Sequence, residues 1–105
     1  MRRPRRFSLA QTARGDLSDN HAFISSSDLG AADKFLRSIA TKIEWLAQTR
    51  FPGVPRDNFS AGLKALPFGN YGIYFRITQD DEVIIVRIVH SARDIGPDDF
   101  TASDT

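Results

Sequence analysis

The residues best able to do chemistry in this chain lie where one apolar run ends. His90, Arg93 and Asp94 follow Val86-Arg-Ile-Val, and together they could supply a proton-transferring base, a phosphate clamp and an orienting carboxylate. Arg76 and Arg87 sit with Tyr74 in two segments of alternating polarity. They could hold a phosphate by paired guanidinium forks, or grip an acidic or apolar peptide segment. A histidine at a strand end serves a neighbouring turn equally well, and an arginine on a sheet face can simply lay its stem over apolar neighbours. His21 and His90 are the only histidines and fall in different elements, while cysteine is absent. No metal constellation, disulfide framework or thiol nucleophile can be built from these residues, and no cofactor is expected. A Gly-rich phosphate loop, a nucleophile elbow and a GxGxxG turn are missing too.

The elements that must position these side chains follow from periodicity. Phe7, Ser8 and Leu9 alternate and predict a short first strand that needs a distant partner. Ala13, Leu17, Phe23 and Ile24 fall near one stripe of a weak helix from Thr12 to about Ser26, interrupted by Asn20. Ser25-Ser-Ser-Asp28 breaks it and offers cap oxygens to a second helix. There Ala32, Phe35, Leu36, Ile39, Ile43, Leu46 and Ala47 keep the i, i+3, i+4, i+7 pattern until Phe51-Pro-Gly53. Beyond a polar loop the period becomes two. Strands are predicted at Leu63 to Phe68, Tyr71 to Thr78 and Val83 to His90, with a tight turn at Gly69-Asn70. The predicted class is α+β: an N-terminal strand and an antiparallel helix hairpin packed on a three- to four-stranded antiparallel sheet. Phe35, Leu36, Ile39, Ile43, Ile73, Phe75, Val86 and Ile88 are expected in one core. Tyr74, Arg76 and Arg87 then gather on the uncovered sheet face.

Length and charge set the frame. The 105 residues fit one domain spanning 1–105, with a core over about residues 7–95, a basic segment 1–6 and an acidic tail 96–105. The formal net charge of +1 hides an asymmetry, since residues 1–14 carry five arginines and no acid while residues 94–105 carry four aspartates and no base. Arginine supplies 11 of the 14 basic residues, which makes an anionic partner plausible. No apolar run is long enough to span a bilayer, so a membrane partner is not expected and a cytoplasmic location is.

Several ordered segments are familiar. Ala13-Arg-Gly-Asp-Leu17, Ala31-Ala-Asp-Lys-Phe-Leu36, Gly62-Leu-Lys-Ala-Leu-Pro-Phe-Gly-Asn-Tyr71 running into Ile73-Tyr-Phe-Arg-Ile77, and above all Val86-Arg-Ile-Val-His-Ser-Ala-Arg-Asp-Ile95 resemble the toxins of the RelE/ParE superfamily. The resemblance covers about residues 7 to 95, and its closing segment looks like the ParE branch. It implies the fold already reached from periodicity. Asn20 stands where an apolar residue is usual, and the arginines from Arg2 to Arg6 have no counterpart in the resemblance.

The resemblance also implies a type II toxin–antitoxin module, with a cognate antitoxin as partner in a hetero-oligomer. RelE-type members cut ribosome-bound messenger RNA, and on that alternative His90, Arg93, Arg76 and Arg87 would be the catalytic set. ParE-type members inhibit DNA gyrase and need no catalytic residues. No Tyr follows His90, and the ring of Phe100 cannot transfer a proton. Asp98, Asp99 and Asp104 repel RNA where a nuclease wants cations. The expectation is therefore a gyrase inhibitor that does not itself bind DNA, with Tyr74, Arg76 and Arg87 meeting the antitoxin and Arg87 and Arg93 meeting gyrase. An inactive binding module of the same fold is the remaining alternative.

Overall fold

The computed structural model describes residues 3–100, so Arg2 and Asp104 lie outside the described residues. Strand β1 (Phe7–Leu9) leads into helices α1 (Gln11–Ser25) and α2 (Leu29–Thr49), followed by β2 (Val54–Pro55), β3 (Lys64–Phe68), β4 (Tyr71–Ile77) and β5 (Val83–His90), and a 3-10 turn at Pro97–Phe100. The five strands form one sheet in the order β1-β5-β4-β3-β2. This is the expected α+β arrangement, enlarged by the two-residue strand β2. The β2–β3, β3–β4 and β4–β5 pairs are antiparallel. β1 runs parallel to β5, pairing Phe7 with Val83 and Leu9 with Ile85, because the helix hairpin returns the chain across one sheet face before the meander begins.

Asp28 caps α2 by accepting a hydrogen bond from the Ala31 N–H at 3.0 Å. The helix ends where Arg50 turns left-handed (φ 56°). Gly53 (φ 84°) is obligatory beyond it, since a Cβ there would lie 2.6 Å from both Lys64 Cβ and the Phe75 ring. Ile39, Ile43 and Leu46 of α2 and Ala13 of α1 pack on Leu66, Ile73, Phe75, Val83, Ile85 and Ile88 of the sheet.

Three expected core positions need correction. Leu36 is 36% exposed because it sits on the flank of the α2 stripe, beside a shallow groove shared with Phe7 and Leu17. Phe35 is half-buried, its ring against Tyr71 at 4.9 Å. Val86 is fully buried, but on the other face of the sheet, with Ala10, Leu63 and Phe100. The cause is a β-bulge: Tyr74 pairs with Arg87 and Phe75 with Ile85, which leaves Val86 unopposed. One extra residue shifts the alternation, so Val83, Ile85 and Ile88 face the helices while Ile84 and Val86 do not.

Candidate functional site

The sheet face away from the helices is covered, not open. Phe100 packs there against Phe59 and Tyr74, with ring centroids 5.7 and 5.1 Å away. Ile95 and Ile84 border the same cluster. The acidic tail thus contributes a buried residue to the fold, and the expected basic face is folded into ion pairs beneath it.

Arg87 is the clearest case. Its Nε donates to Asp16 Oδ2 at 2.8 Å and its Nη2 to Asp16 Oδ1 at 2.9 Å, a two-pronged fork. Asp16 Oδ2 also accepts the Ile88 backbone N–H at 2.9 Å. β1 pairs with β5 only through Ile85, so the first turns of α1 serve the rest of that strand edge. Ala10 donates its N–H to the Ile85 carbonyl (2.9 Å), the Thr12 hydroxyl donates to the Val86 carbonyl (2.6 Å), and Asp16 takes the next free N–H. Asp16 is 9% exposed and is the one charged residue buried among the described residues. Sequence reading missed it, although a carboxylate between Ala13 and Leu17 on the buried stripe was a visible anomaly. Asn20, the other irregularity in this helix, donates its side-chain amide to the Asp16 carbonyl at 2.8 Å.

Arg93 and Arg76 are engaged as well. Asp99 Oδ1 accepts from Arg93 Nη2 at 2.8 Å, Asp99 Oδ2 accepts the Gly96 N–H at 2.9 Å, and the Asp99 carbonyl accepts from Arg87 Nη1 at 3.1 Å. One tail aspartate therefore ties both arginines to the 3-10 turn. Arg93 remains 49% exposed in its side chain. Arg76 donates Nη1 to the Ala61 carbonyl (2.9 Å) and Nη2 to the Ser60 hydroxyl (2.8 Å), fastening the loop between β2 and β3.

What remains concave is a cleft of about 220 Å³ whose lining includes Arg56, Tyr71, Tyr74, His90, Arg93 and Ile95. Gly72 belongs to its floor, where a Cβ would meet the Tyr74 ring at 2.9 Å. The cleft brings Tyr74, His90 and Arg93 together but omits Arg76 and Arg87. His90 Nδ1 accepts the Ala92 N–H at 3.0 Å. That nitrogen is therefore engaged by the turn after β5, and Nε2 is the one left for an outside partner. Burial pushes the Tyr71 phenol up, and the Tyr74 phenol up against the lowering pull of Arg56. Both phenols stay protonated at neutral pH and can donate hydrogen bonds. The cleft is suited to holding a polar group.

A second concavity, about 570 Å³, runs along α2 beside β3. Lys34, Arg37, Lys42, Trp45 and Phe68 line it, and no carboxylate does. The Lys42 ammonium lies 3.8 Å from the Trp45 ring centroid. His21, far from the first cleft in sequence, pairs with Asp33 across the helix hairpin at 3.1 Å. Among the described residues no three His, Cys, Asp or Glu gather as a metal site, and no helix is long and apolar enough to cross a membrane.

In solved structures, the chain is similar to one from the chromosomal ParDE toxin–antitoxin system of P. aeruginosa, at 20% identity and a TM-score of 0.70, covering 82% of this chain and 95% of that one. It is also similar to a chain of the RelBE2 toxin–antitoxin complex of Mycobacterium tuberculosis, at 25% identity and a TM-score of 0.57, covering 89% and 98%. No curated protein sequence matches it significantly. Residues 7–95 match the family model for the ParE toxin of the type II toxin–antitoxin system parDE, nearly the whole described fold, and the chain belongs to that toxin family.

Proposed function

We propose that this ParE-family toxin restrains growth in the cytoplasm by binding DNA gyrase, and that a cognate antitoxin neutralises it by occupying its surface. One observation carries the choice of target: each group a messenger RNA nuclease would use is already bonded to another part of the chain. Arg87 forks onto Asp16, Arg93 is tied to Asp99, Arg76 holds the Ser60–Ala61 loop, and His90 Nδ1 accepts the Ala92 N–H. Inhibition by surface complementarity asks for none of them as a catalyst. On this reading Arg93, exposed at the end of β5, is the gyrase contact, and Arg87 and Arg76 hold the surfaces that meet gyrase and antitoxin beside Tyr74.

For the antitoxin, the groove along α2 fits an amphipathic segment that places an aromatic or aliphatic side chain against Trp45 and Phe68 and carboxylates near Lys34, Arg37 and Lys42. The solved toxin–antitoxin complexes of similar fold support such a partner. The deciding experiment induces the chain alone in a bacterium and follows plasmid supercoiling and messenger RNA integrity. Growth arrest with disturbed supercoiling and intact messages, unchanged by His90→Ala, is the expected result. Codon-dependent message breaks with normal supercoiling, abolished by His90→Ala, would establish the nuclease instead.

A further inference from the structure

The arginines that open the chain have no counterpart in the family resemblance, yet Arg3, Arg5 and Arg6 are built into the fold. Arg3, Arg5 and Arg6 line a cleft of about 460 Å³ that Arg50, at the end of α2, and Asp80 and Asp81, in the β4–β5 turn, complete. Four guanidinium groups face two carboxylates. Arg5 Nε donates to Asp81 Oδ1 at 2.8 Å and Arg50 Nη2 to Asp81 Oδ2 at 2.6 Å, so one aspartate bridges two cations. That bridge leaves positive charge uncompensated. It also leaves Arg5 Nη1 and Arg50 Nε buried with no hydrogen-bond acceptor, a costly condition for charged donors.

The backbone marks the same place. Arg50 (φ 56°) and Asp81 (φ 65°) are the two non-glycine residues with positive φ among the described residues, and they are ion-paired to each other. Strained residues persist where the surroundings over-determine them, as at ligand clamps. The cleft is tethered from both sides: Arg50 Nη1 donates to the Arg3 carbonyl at 3.3 Å, and the Arg5 and Val83 N–H groups bond the carbonyls of Ala47 and Arg6 at 2.9 and 2.8 Å.

We propose that this cleft is an oxyanion site for a phosphate group, with the Arg5–Asp81–Arg50 bridge as its fixed floor and the exposed side chains of Arg3 and Arg6 as the donors that close on the ligand. Phosphate matches the site better than a carboxylate does. Its negative charge offsets the surplus of guanidiniums over carboxylates, and its tetrahedral non-bridging oxygens can accept from more than one arginine fork at once. A free phosphate or a nucleic-acid backbone can supply that group. The site involves none of the residues assigned to gyrase or antitoxin, so it stands or falls apart from that reading.

The test is an NMR titration of the arginine Nε–H signals of the full chain with sodium pyrophosphate, with sodium chloride at matched ionic strength as control. The expected result is saturable shifts at Arg5 and Arg50 with pyrophosphate alone, and a dissociation constant raised about fivefold or more by Arg3→Ala/Arg6→Ala. That double variant leaves every backbone tether in place. Arg50→Gly should weaken binding as well, and glycine suits the left-handed backbone there, so loss of binding would not reflect strain. Shifts that follow ionic strength, shifts of equal size at Arg14, Arg37 and Arg56, or a dissociation constant unchanged in both variants would each overturn the site. Adding random-sequence duplex DNA then identifies the source. Competition at the Arg5 and Arg50 signals assigns the nucleic-acid backbone, and pyrophosphate binding undisturbed by DNA assigns the free ion.

Discussion

Asp16 and Arg87 lie 71 positions apart, yet each is the other's principal partner. A carboxylate and a guanidinium this deeply buried are worth little as a net pair, because desolvation offsets most of their attraction, but each is costly to leave alone. Asp16→Ala takes the carboxylate fork from Arg87, which keeps its tie to Asp99, and deprives the Ile88 N–H of its acceptor. It should lower unfolding free energy by about 3 kcal/mol in a denaturant series, near the lower end for broken buried pairs, since both side chains keep a little solvent access. Asp16→Ala/Arg87→Met should recover part of that loss, because a guanidinium that has lost its forked carboxylate no longer stays buried there. If the double variant were less stable than the single by the full cost of a second truncation, the two side chains would be acting independently and the strut would be wrong. The same commitment explains why an expected surface contact at Arg87 is better understood as support for the tail and the β5 edge.

Among the elements, α2 and β4 were legible because each buries one face, and a single buried face stamps its period on the sequence. Ile39, Ile43, Leu46, Ile73 and Phe75 all lie where that period puts them. β5 resisted the same reading. It is apolar on both sides over Val83–Val86, and its bulge moves Val86 to the far face, a shift that a one-strand pattern cannot register. Likewise the Asp16–Arg87 fork and the Asp99 ties join residues through the fold and leave no local spacing to find; His90 and Arg93 stood out together because they are close in sequence, whereas Tyr74, grouped there with Arg76 and Arg87, joins them only across the β4–β5 pair. Helix-face burial is measurable. Phe75→Ala, fully buried, should cost about 3 to 5 kcal/mol, and half-buried Phe35→Ala about 1 to 2. Equal losses at the two positions in urea unfolding would put Phe35 back in the centre of the core. The β4–β5 turn offers a pH test. Hydrogen bonds from Arg5 and then Arg50 hold the Asp81 carboxyl below the ordinary aspartate value of 3.8. An acid held down in the folded state contributes stability that is complete above its unfolded pKa and is lost as pH falls through the folded one. Asp81→Asn should therefore flatten the decline in stability below about pH 4 and leave the slope near neutrality unchanged; an unaltered acid limb would mean that Asp81 does not titrate with folding.

For the molecule as a whole, the sheet is packed on both faces, and the two packings come from different parts of the chain. The helix hairpin supplies the larger one. The smaller draws Phe59 and Leu63 from the loop before β3, Val86 from the bulge, and Ile95 and Phe100 from the tail. Antiparallel sheets often leave one face to water, and here that face is closed by a tail whose sequence is dominated by aspartate. Charge makes the closure possible: Asp99 meets Arg93 and Arg87 while Phe100, its neighbour, enters between Phe59 and Tyr74. If the two faces form one cooperative unit, Phe100→Ala should lower unfolding free energy by about 2 to 4 kcal/mol and keep a single transition whether followed by helix circular dichroism or by tyrosine fluorescence. Amide exchange should then quicken in β5 and in α2 together. A loss under about 0.5 kcal/mol, or exchange that quickens only around residues 95–100, would instead make the tail a detachable cover, and the Arg87 and Arg93 side chains beneath it would be available to a partner without unfolding anything else.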